Sequence, residues 1–224
     1  MIEPGDRVAL AVSGGKDSLS LAHFLARKAN SGYHIDFDIE AVHIRTDFDN
    51  SVDKSGFENF LKEKGIPLTI IDVPVLKRLK PGRKMNCYWC SSQRRMELMK
   101  FASERGCNKI ALGHHMDDIL ETFFMNMAYK GEMSTMLPVM KFDNYEQALI
   151  RPLALVKEKE IIRFAEEKGI SQISCTCNFD TQSKRKEMRS FINYMAEKDE
   201  SIRDNLFKAM NNPVPRYMIN NEPG

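Results

Sequence analysis

The run Ser-Gly-Gly-Lys-Asp-Ser at 13–18 constrains the fold of this chain more than any other feature. It joins an apolar run at 7–12, typical of a buried strand, to residues 19–26, where apolar side chains recur at helical spacing. Two glycines at such a junction let several backbone N–H groups and the positive end of the helix dipole face one place, which suits a phosphate. A tight turn without a ligand is the alternative, but the surrounding polar side chains favour a phosphate site. The residues predicted to form it are Ser13, Gly14, Gly15, Lys16, Asp17 and Ser18.

Apolar patterns along the rest of the chain predict an α/β fold. Further strands are predicted at 35–44, 67–73, 108–112 and 147–150, and further helices at 51–64, 91–105, 119–129, 157–168 and 199–210. Residues 74–90 and 130–146 are predicted as irregular connections. Alternating strands and helices form a doubly wound, mostly parallel sheet with helices on both faces, and ligands bind at the carboxyl ends of its strands. Because no repeat or linker interrupts the chain, one domain is expected over 1–224, with a C-terminal helical extension over 181–224.

The composition is that of an ordinary globular protein and limits the classes of function. Hydrophobic residues make up 42% of the 224 residues and charged residues 29%. No run approaches the roughly 20 apolar residues of a membrane span, and the polar start does not resemble a signal peptide, so the cytoplasm is expected. A net charge of only +2 means that any nucleic-acid contact must come from a local basic patch.

A second polar run, Gly-His-His-Met-Asp-Asp at 113–118, follows the fourth predicted strand and leads directly into a helix. Histidines and carboxylates at that edge of the sheet are suited to bind Mg²⁺ or to orient phosphate groups. Asp118 has a second interpretation, because an aspartate in the first turn of a helix often only caps it or interacts with its dipole. The second predicted strand ends near His43, which places this residue at the same edge.

The five cysteines are an odd number in a chain without an export signal, which argues against a disulfide framework. Cys87 and Cys90 place two thiolates within reach of one metal ion or cluster, and a structural zinc is the main competitor for this pair. Cys107 precedes a buried strand and is expected to be a core thiol. The last two cysteines, Cys175 and Cys177, lie late in the chain.

The run at 13–18 resembles the Ser-Gly-Gly-x-Asp-Ser loop of the PP-loop ATP pyrophosphatases, which cleave ATP between the α and β phosphates and adenylate a substrate. The order of the motifs resembles the tRNA 2-thiocytidine synthetase family of that superfamily. The stretches that carry this likeness are residues 112–126, Arg-Pro-Leu at 151–153, residues 161–166 and residues 209–215. The likeness covers nearly the whole chain.

The resemblance implies a Mg-ATP-dependent tRNA sulfurtransferase that adenylates O2 of a cytidine in the anticodon loop and replaces it with sulfur. ATP and pyrophosphate would be held by residues 13–18 together with His43, Gly113 and His114. Asp17 and Asp118 would assist Mg²⁺ and catalysis. The implied partners are tRNA and a sulfur donor, either a cysteine desulfurase or sulfide, with no membrane contact and with a homodimer as one arrangement.

The resemblance also implies a [4Fe–4S] cluster held by three cysteines, which here are Cys87, Cys90 and one late cysteine. The family has Cys-x-x-Cys late in the chain, whereas this sequence has Cys-Thr-Cys. Matching forward from Glu166 selects Cys175 as the third ligand, with Cys177 as the alternative.

Basic residues are the expected contacts with tRNA phosphates. Residues 77–100 carry eight Lys or Arg and one acidic residue, and a basic helix is predicted around 184–189. A charge run is usually only a solvated face, but this one surrounds the first cysteine pair. Tyr88 or Trp89 is expected either to stack on an unpaired base or to shield the cluster.

Two other interpretations are weighed against this one. The first is another PP-loop tRNA-modifying enzyme that acts on a uridine or another RNA position; among these, lysidine synthetases lack the paired cysteines. The second is a nucleotide- and RNA-binding module stiffened by zinc and without turnover. The late cysteine pair argues against such a pure binding module, because it has little need for these thiols.

Overall fold

The computed structural model describes residues 1–30, 35–48, 55–170 and 184–218. Its strands are β1 (Arg7–Ala11), β2 (Asp38–Thr46), β3 (Leu68–Val73), β4 (Lys109–Ala111), β5 (Val139–Phe142) and β6 (Tyr145–Ile150). They form one sheet in the order β3-β2-β1-β4-β6-β5. Every neighbouring pair is parallel except β5 and β6, which pair antiparallel at one edge.

Seven helices occur in the described residues, and the first five each follow a strand, as predicted. They are α1 (Lys16–Ala29), α2 (Ser55–Glu63), α3 (Cys87–Glu104), α4 (Met116–Lys130), α5 (Glu158–Glu167), α6 (Lys184–Lys198) and α7 (Ser201–Ala209). Charges at the ends of α1 suit its dipole, with Asp17 in the first turn and Arg27 and Lys28 in the last. None of the described helices is long and apolar enough to cross a membrane.

Alternate residues of the central strands bury their side chains on opposite faces of the sheet. Val8 and Leu10 of β1 belong to a buried cluster with α1, α2 and α5, in which Phe57 is 1% exposed. Ala9 belongs instead to a second cluster that contains Met99 of α3. Helices therefore pack their apolar side chains on both faces of the sheet, and the predicted doubly wound sheet is confirmed.

The strand order reverses between β1 and β4. The chain passes from β1 to β2 on one side, while β4 pairs with β1 on the other side. The residues after these two strands are the polar runs at 13–18 and 113–118. In open sheets of this class, ligands bind in the crevice at such a reversal, beyond the carboxyl ends of the strands. The topology therefore brings both runs to the place where a ligand is expected.

Strand β5 was not expected, because the sequence predicts a loop over 130–146. Three of its four residues are exposed, so β5 lacks the alternation of buried and exposed side chains that identifies a strand. Arg151, which is 6% exposed, donates a side-chain hydrogen bond to the carbonyl of Leu137 and so fastens the segment before β5. Tertiary contacts therefore stabilise an edge strand that the local pattern does not indicate.

Helix α3 begins four residues earlier than the predicted start at 91. Asn86 provides the reason, since its side chain accepts a hydrogen bond from the backbone N–H of Trp89 at 2.8 Å and caps the helix. Cys87 and Cys90 consequently lie in the first turn of a helix and not in an irregular connection, which corrects the prediction for 74–90.

The described residues form two compact units. The first, Met1–Met116 with Leu137–Thr181, contains the sheet, α1, α2, α3 and α5. The second, Asp117–Met136 with Gln182–Gly224, contains most of α4 together with α6 and α7. Helices α6 and α7 correspond to the predicted C-terminal extension. The single domain over 1–224 stays a prediction, because compactness does not measure whether two units unfold together.

Candidate active site

Hydroxyl groups of the loop between β1 and α1 hold its shape. Ser18 Oγ donates to Gly15 O at 3.0 Å and accepts from Ser13 N at 3.2 Å, and Ser13 Oγ accepts from Gly15 N at 3.3 Å. Gly14 has a φ of 86°, a left-handed conformation that side chains disfavour. Among the described residues no side chain caps α1. The N–H groups of its first turn are therefore suited to bind an anion.

Gly113 brings the second polar run into contact with the first. A Cβ atom at this position would lie 3.0 Å from the carbonyl carbon of Asp17 and 3.0 Å from the backbone nitrogen of Ser18. Both atoms belong to backbone and cannot rotate away as the end of a flexible side chain would. Any larger residue at this position would therefore force the loop after β4 and the first turn of α1 apart by a few tenths of an ångström.

Two carboxylates surround the ammonium group of Lys16. Its Nζ lies 2.9 Å from Glu158 Oε1 and 3.1 Å from Asp17 Oδ1, and the Lys16 side chain is only 14% exposed. Burial by itself lowers the pKa of Lys16. The hydrogen bond to Glu158 and the charges of Asp17 and Glu158 outweigh that effect, so the pKa is raised above its usual 10.5. Lys16 therefore carries a positive charge at neutral pH, beside the anion-binding first turn of α1.

A buried histidine lies beside the same carboxylates. His115, which is 1% exposed, has its Nε2 3.8 Å from Asp17 Oδ1 and 4.0 Å from Glu158 Oε1. Asp17 Oδ1 is buried, close to both the Lys16 ammonium group and the His115 ring. A carboxylate oxygen of this kind is suited to a cation or to a donor group on a ligand.

His43 and His114 lie at the same edge of the sheet in the first unit. His43 is 5% exposed, and its Nδ1 lies 2.8 Å from Val12 O, which can only accept, so the ring donates this hydrogen bond. This contact fixes the imidazole at the start of the 13–18 loop. His114 follows Gly113 directly and is half-buried. The predicted nucleotide residues therefore all occur in the first unit, around the strand reversal.

The cysteine pair occupies the first turn of α3. Cys87 is exposed and Cys90 is buried at 8% exposure. Residues at positions i and i+3 share one face of a helix, so both sulfur atoms can reach one metal centre. The predicted third ligand, Cys175 or Cys177, lies outside the described residues. Within the described ranges, no three His, Cys, Asp or Glu side chains are grouped so that they could hold a metal ion.

Cys107 is buried at 4% exposure among the apolar side chains beneath α3, as expected of a core thiol. Burial raises the pKa of this thiol above its usual value. A neutral, inaccessible thiol is a poor metal ligand. Cys107 is therefore structural and offers a matched control for the cysteines of α3.

Acidic residues of α4 pair with arginines of α6 and α7 in the second unit. Asp117 accepts a hydrogen bond from Arg203, and Asp118 forms an ion pair with Arg185 at 3.6 Å. Glu121, which is 2% exposed, accepts from Arg189 at 2.6 Å. Asp118 thus has an arginine partner in the structure, and its predicted role toward Mg²⁺ stays a prediction.

Sequence reasoning did not assign a role to Glu158. It stands in the first turn of α5, where a carboxylate suits the helix dipole, so its local context suggested no role beyond the helix itself. Only the fold brings this residue from position 158 to the ammonium group of Lys16. The one available signal was its place shortly after the Arg-Pro-Leu run at 151–153.

Comparison with known families gives the class of protein. The sequence profile of the PP-loop domain, ATP_bind_3, matches residues 3–195 of this chain. The match includes both polar runs and the sheet that positions them. The fold and the site are therefore those of a PP-loop protein.

Curated relatives narrow the class to one enzyme family. The tRNA-cytidine(32) 2-sulfurtransferase of Neisseria gonorrhoeae is 37% identical over 99% of this chain and 70% of its own length. The enzyme of the same name from Syntrophotalea carbinolica is 35% identical over 98% of this chain and 86% of its own length. The chain therefore belongs to the PP-loop proteins and, within them, to the family of the tRNA-cytidine(32) 2-sulfurtransferases, which are enzymes.

Solved structures show the same fold at lower sequence identity. The U34-tRNA thiolase of Methanococcus maripaludis, solved with its [4Fe-4S] cluster, superposes with a TM-score of 0.77. It is 20% identical, and the match covers 94% of this chain and 73% of that one. The NMN synthetase of Francisella tularensis has a TM-score of 0.53 at 13% identity, with 99% and 90% coverage. At these identities the likeness concerns the fold alone.

Proposed function

We propose that this protein uses ATP to activate O2 of a cytidine in the anticodon loop of tRNA and replaces that oxygen with sulfur. The observation that carries the proposal is the close approach of Gly113 to the first turn of α1, which places the second PP-loop motif beside the N–H groups that we propose to bind the phosphates of ATP. The names of the relatives support tRNA and cytidine as the substrate.

The chemistry explains why such a site is needed. The C2 carbonyl of cytosine is a poor electrophile, and oxide is a poor leaving group. Attack of O2 on the α phosphorus breaks the bond to the β phosphate and releases pyrophosphate. Replacement by sulfur then breaks the C2–O2 bond and releases AMP. Binding of the phosphates by the first-turn N–H groups and Lys16 stabilises the negative charge that develops on pyrophosphate.

Asp17 is proposed as a carboxylate that assists Mg²⁺, because it places hard oxygen atoms in the first turn of α1, beside the N–H groups that are proposed to bind phosphate. Lys16 balances part of the charge of this carboxylate before nucleotide binds. His43 and His114 are proposed to line the nucleotide site, as the sequence predicts. Asp118 is retained as a second predicted catalytic residue.

Cys87 and Cys90 fit two ligand positions of a [4Fe–4S] cluster, because their sulfur atoms share one face of the first turn of α3. We assign the third position to Cys175, with Cys177 as the alternative. The cluster, when bound, supplies an iron from which sulfur is delivered to the activated base. The cytoplasm, a homodimer and the identity of the donor, a desulfurase or sulfide, stay predictions.

Anaerobic purification tests the cluster. Wild type and Cys107→Ala should be brown, and Cys87→Ala and Cys90→Ala should be colourless with little iron. Comparison of Cys175→Ala with Cys177→Ala identifies the third ligand, since only one of them should lose the colour. A colourless wild-type protein that holds stoichiometric zinc would overturn the cluster assignment.

Turnover is tested with tRNA from a strain that lacks the gene, supplied with Mg-ATP and sulfide. Mass spectrometry of the digested tRNA should detect 2-thiocytidine, and pyrophosphate should be released in equal amount. Asp17→Ala should abolish both products, whereas Asp143→Ala, an exposed aspartate between β5 and β6, should leave them unchanged. Formation of a thiouridine without 2-thiocytidine would reject cytidine as the substrate.

A further inference from the structure

The two basic segments of the chain differ in what their cations contact. On α6, Arg185 pairs with Asp118, and Arg189 pairs with Glu121. Lys184 lies 3.9 Å from the centre of the Tyr129 ring. These cations already contact carboxylates or an aromatic ring of the second unit, and those contacts compete with any binding of phosphate groups.

The segment between β3 and α3 is different. Four of its cations are exposed, and within the described ranges none of the four forms an ion pair. The sequence also contains no acidic residue between Asp72 and Glu97. We define the basic loop surface by these four side chains, Lys77, Lys80, Arg83 and Lys84.

The backbone under this surface is held in place at several points. Leu76 N donates to Asp47 Oδ2 at 2.9 Å, and Arg78 reaches Glu97 Oε1 at 2.6 Å. Val75 is fully buried, and its carbonyl accepts the indole N–H of Trp89 at 3.2 Å. An anchored loop loses less conformational freedom when it binds a partner than a loose one does. The four cations are therefore presented from a fixed base.

The two aromatic residues beside the cysteines, Tyr88 and Trp89, differ in their exposure and in their hydrogen bonds. Trp89 is half-buried, and the only polar hydrogen of its side chain already bonds to Val75 O. Tyr88 is 82% exposed and lies directly after Cys87 in the chain. An exposed aromatic ring beside a basic surface is typical of proteins that bind single-stranded RNA, where bases stack on the ring.

We infer that the basic loop surface and Tyr88 form the docking site for a single-stranded RNA loop, and that α6 does not. The inference rests on the proposed function, and it assigns the surface that holds the substrate. Phosphate groups would contact the four cations while an unpaired base stacks on Tyr88. Because Tyr88 adjoins Cys87, a base bound there lies beside the residues that are proposed to supply sulfur.

The test compares two variants that each remove four positive charges. The loop variant is K77Q/K80Q/R83Q/K84Q, and the control variant is R27Q/K62Q/K141Q/K168Q, whose cations are exposed elsewhere in the first unit. Fluorescence anisotropy with unmodified tRNA measures affinity at several salt concentrations, using holoprotein whose cluster absorbance is unchanged. The loop variant should reduce the slope of log K against log salt by about three, while the control should change it little.

Single substitutions test the stacking role. Tyr88→Ala should weaken tRNA binding about tenfold, and Tyr88→Phe should retain it, because stacking needs the ring and not the hydroxyl group. Trp89→Phe should bind as wild type does. Arg185→Gln and Arg189→Gln, read in the same assay, should leave the salt slope unchanged.

Two failures are distinguishable in these experiments. A loop variant that keeps the wild-type slope, or an Arg185→Gln protein whose slope falls by about 0.7 to 0.9, as for one lost phosphate contact, overturns the assigned surface while tRNA thiolation stands. Wild-type protein that shows no salt-dependent binding of tRNA at all contradicts the proposed function itself. Binding of Mg-ATP, measured by calorimetry, should be equal in all variants and serves as the check that each one is folded.

Discussion

At the scale of single residues, Lys16 shows how a motif residue depends on a distant one. The loop alone provides one neighbouring carboxylate, Asp17, whereas the second carboxylate comes from Glu158 at 2.9 Å. Together they raise the pKa of Lys16 despite its burial. A lysine whose pKa is raised by folding contributes stability that is complete below 10.5 and is lost as the pH rises through the folded value.

Glu158→Gln should therefore lower the pKa of Lys16 toward its usual value and cost about 1 kcal/mol of unfolding free energy at neutral pH. The stability difference from wild type should shrink as the pH rises above about 10.5, since wild type then loses the contribution. Urea unfolding between about pH 8 and pH 12 measures this. Glu166→Gln, an exposed carboxylate of the same helix, is the control and should show no such convergence. A pH-independent difference would contradict the role given to Glu158.

At the scale of elements, the site depends on the fit between two loops. Gly113 allows the segment after β4 to lie against the first turn of α1, where an added Cβ would approach backbone atoms to 3.0 Å. Neither loop can yield freely, since each continues from a buried central strand and leads into a helix. A small change at this contact should therefore affect nucleotide binding more than it affects the core.

Gly113→Ala should weaken Mg-ATP binding at least tenfold and destabilise the protein by about 1–3 kcal/mol, because the loops must separate. Calorimetry and urea unfolding measure the two effects. Gly56→Ala is a matched substitution in α2, where a Cβ meets nothing within 4 Å. It should leave binding unchanged and raise stability by about 0.5–1 kcal/mol through a less flexible unfolded chain. Equal binding by both variants would show that the contact is not needed.

At the scale of the whole molecule, a buried carboxylate of the second unit makes stability depend on pH. In the second unit Glu121 is 2% exposed, and burial raises its pKa above the usual 4.5 although Arg189 acts against the shift. The folded state therefore holds this proton to higher pH than the unfolded state does. Stability from this group falls as the pH rises through the window just above 4.5.

Glu121→Gln should remove this pH dependence. The stability of wild type relative to the variant should decrease between about pH 4 and pH 7, whatever the offset caused by the altered contact with Arg189. Urea unfolding across that range provides the measurement. Glu197→Gln, an exposed residue of α6, should show no comparable trend. A relative stability that increases with pH would mean that Arg189 outweighs burial.

The local parts of this protein could be predicted from sequence because their signals are local. Residues 13–18 combine glycines, hydroxyls and charges at a strand-to-helix junction. Segments with the apolar spacing of strands alternate along the chain with segments that have the apolar spacing of helices, and this alternation indicates the parallel sheet. The edge strand β5 escaped prediction because its side chains are mostly exposed. The predicted start of α3 was wrong, because the side chain of Asn86 caps the helix and so determines where it begins.

The sequence by itself therefore determined the class of fold, the phosphate-binding loop and the cysteines available for a cluster, since each depends on neighbouring residues. Tertiary structure decided which side chains act together. It brought Glu158 to Lys16 and placed Gly113 against the first turn of α1. It also paired arginines of α6 with carboxylates of α4, while the four cations of the basic loop surface stayed exposed. Such contacts join residues far apart in the chain, and only the packing of elements fixes their distances.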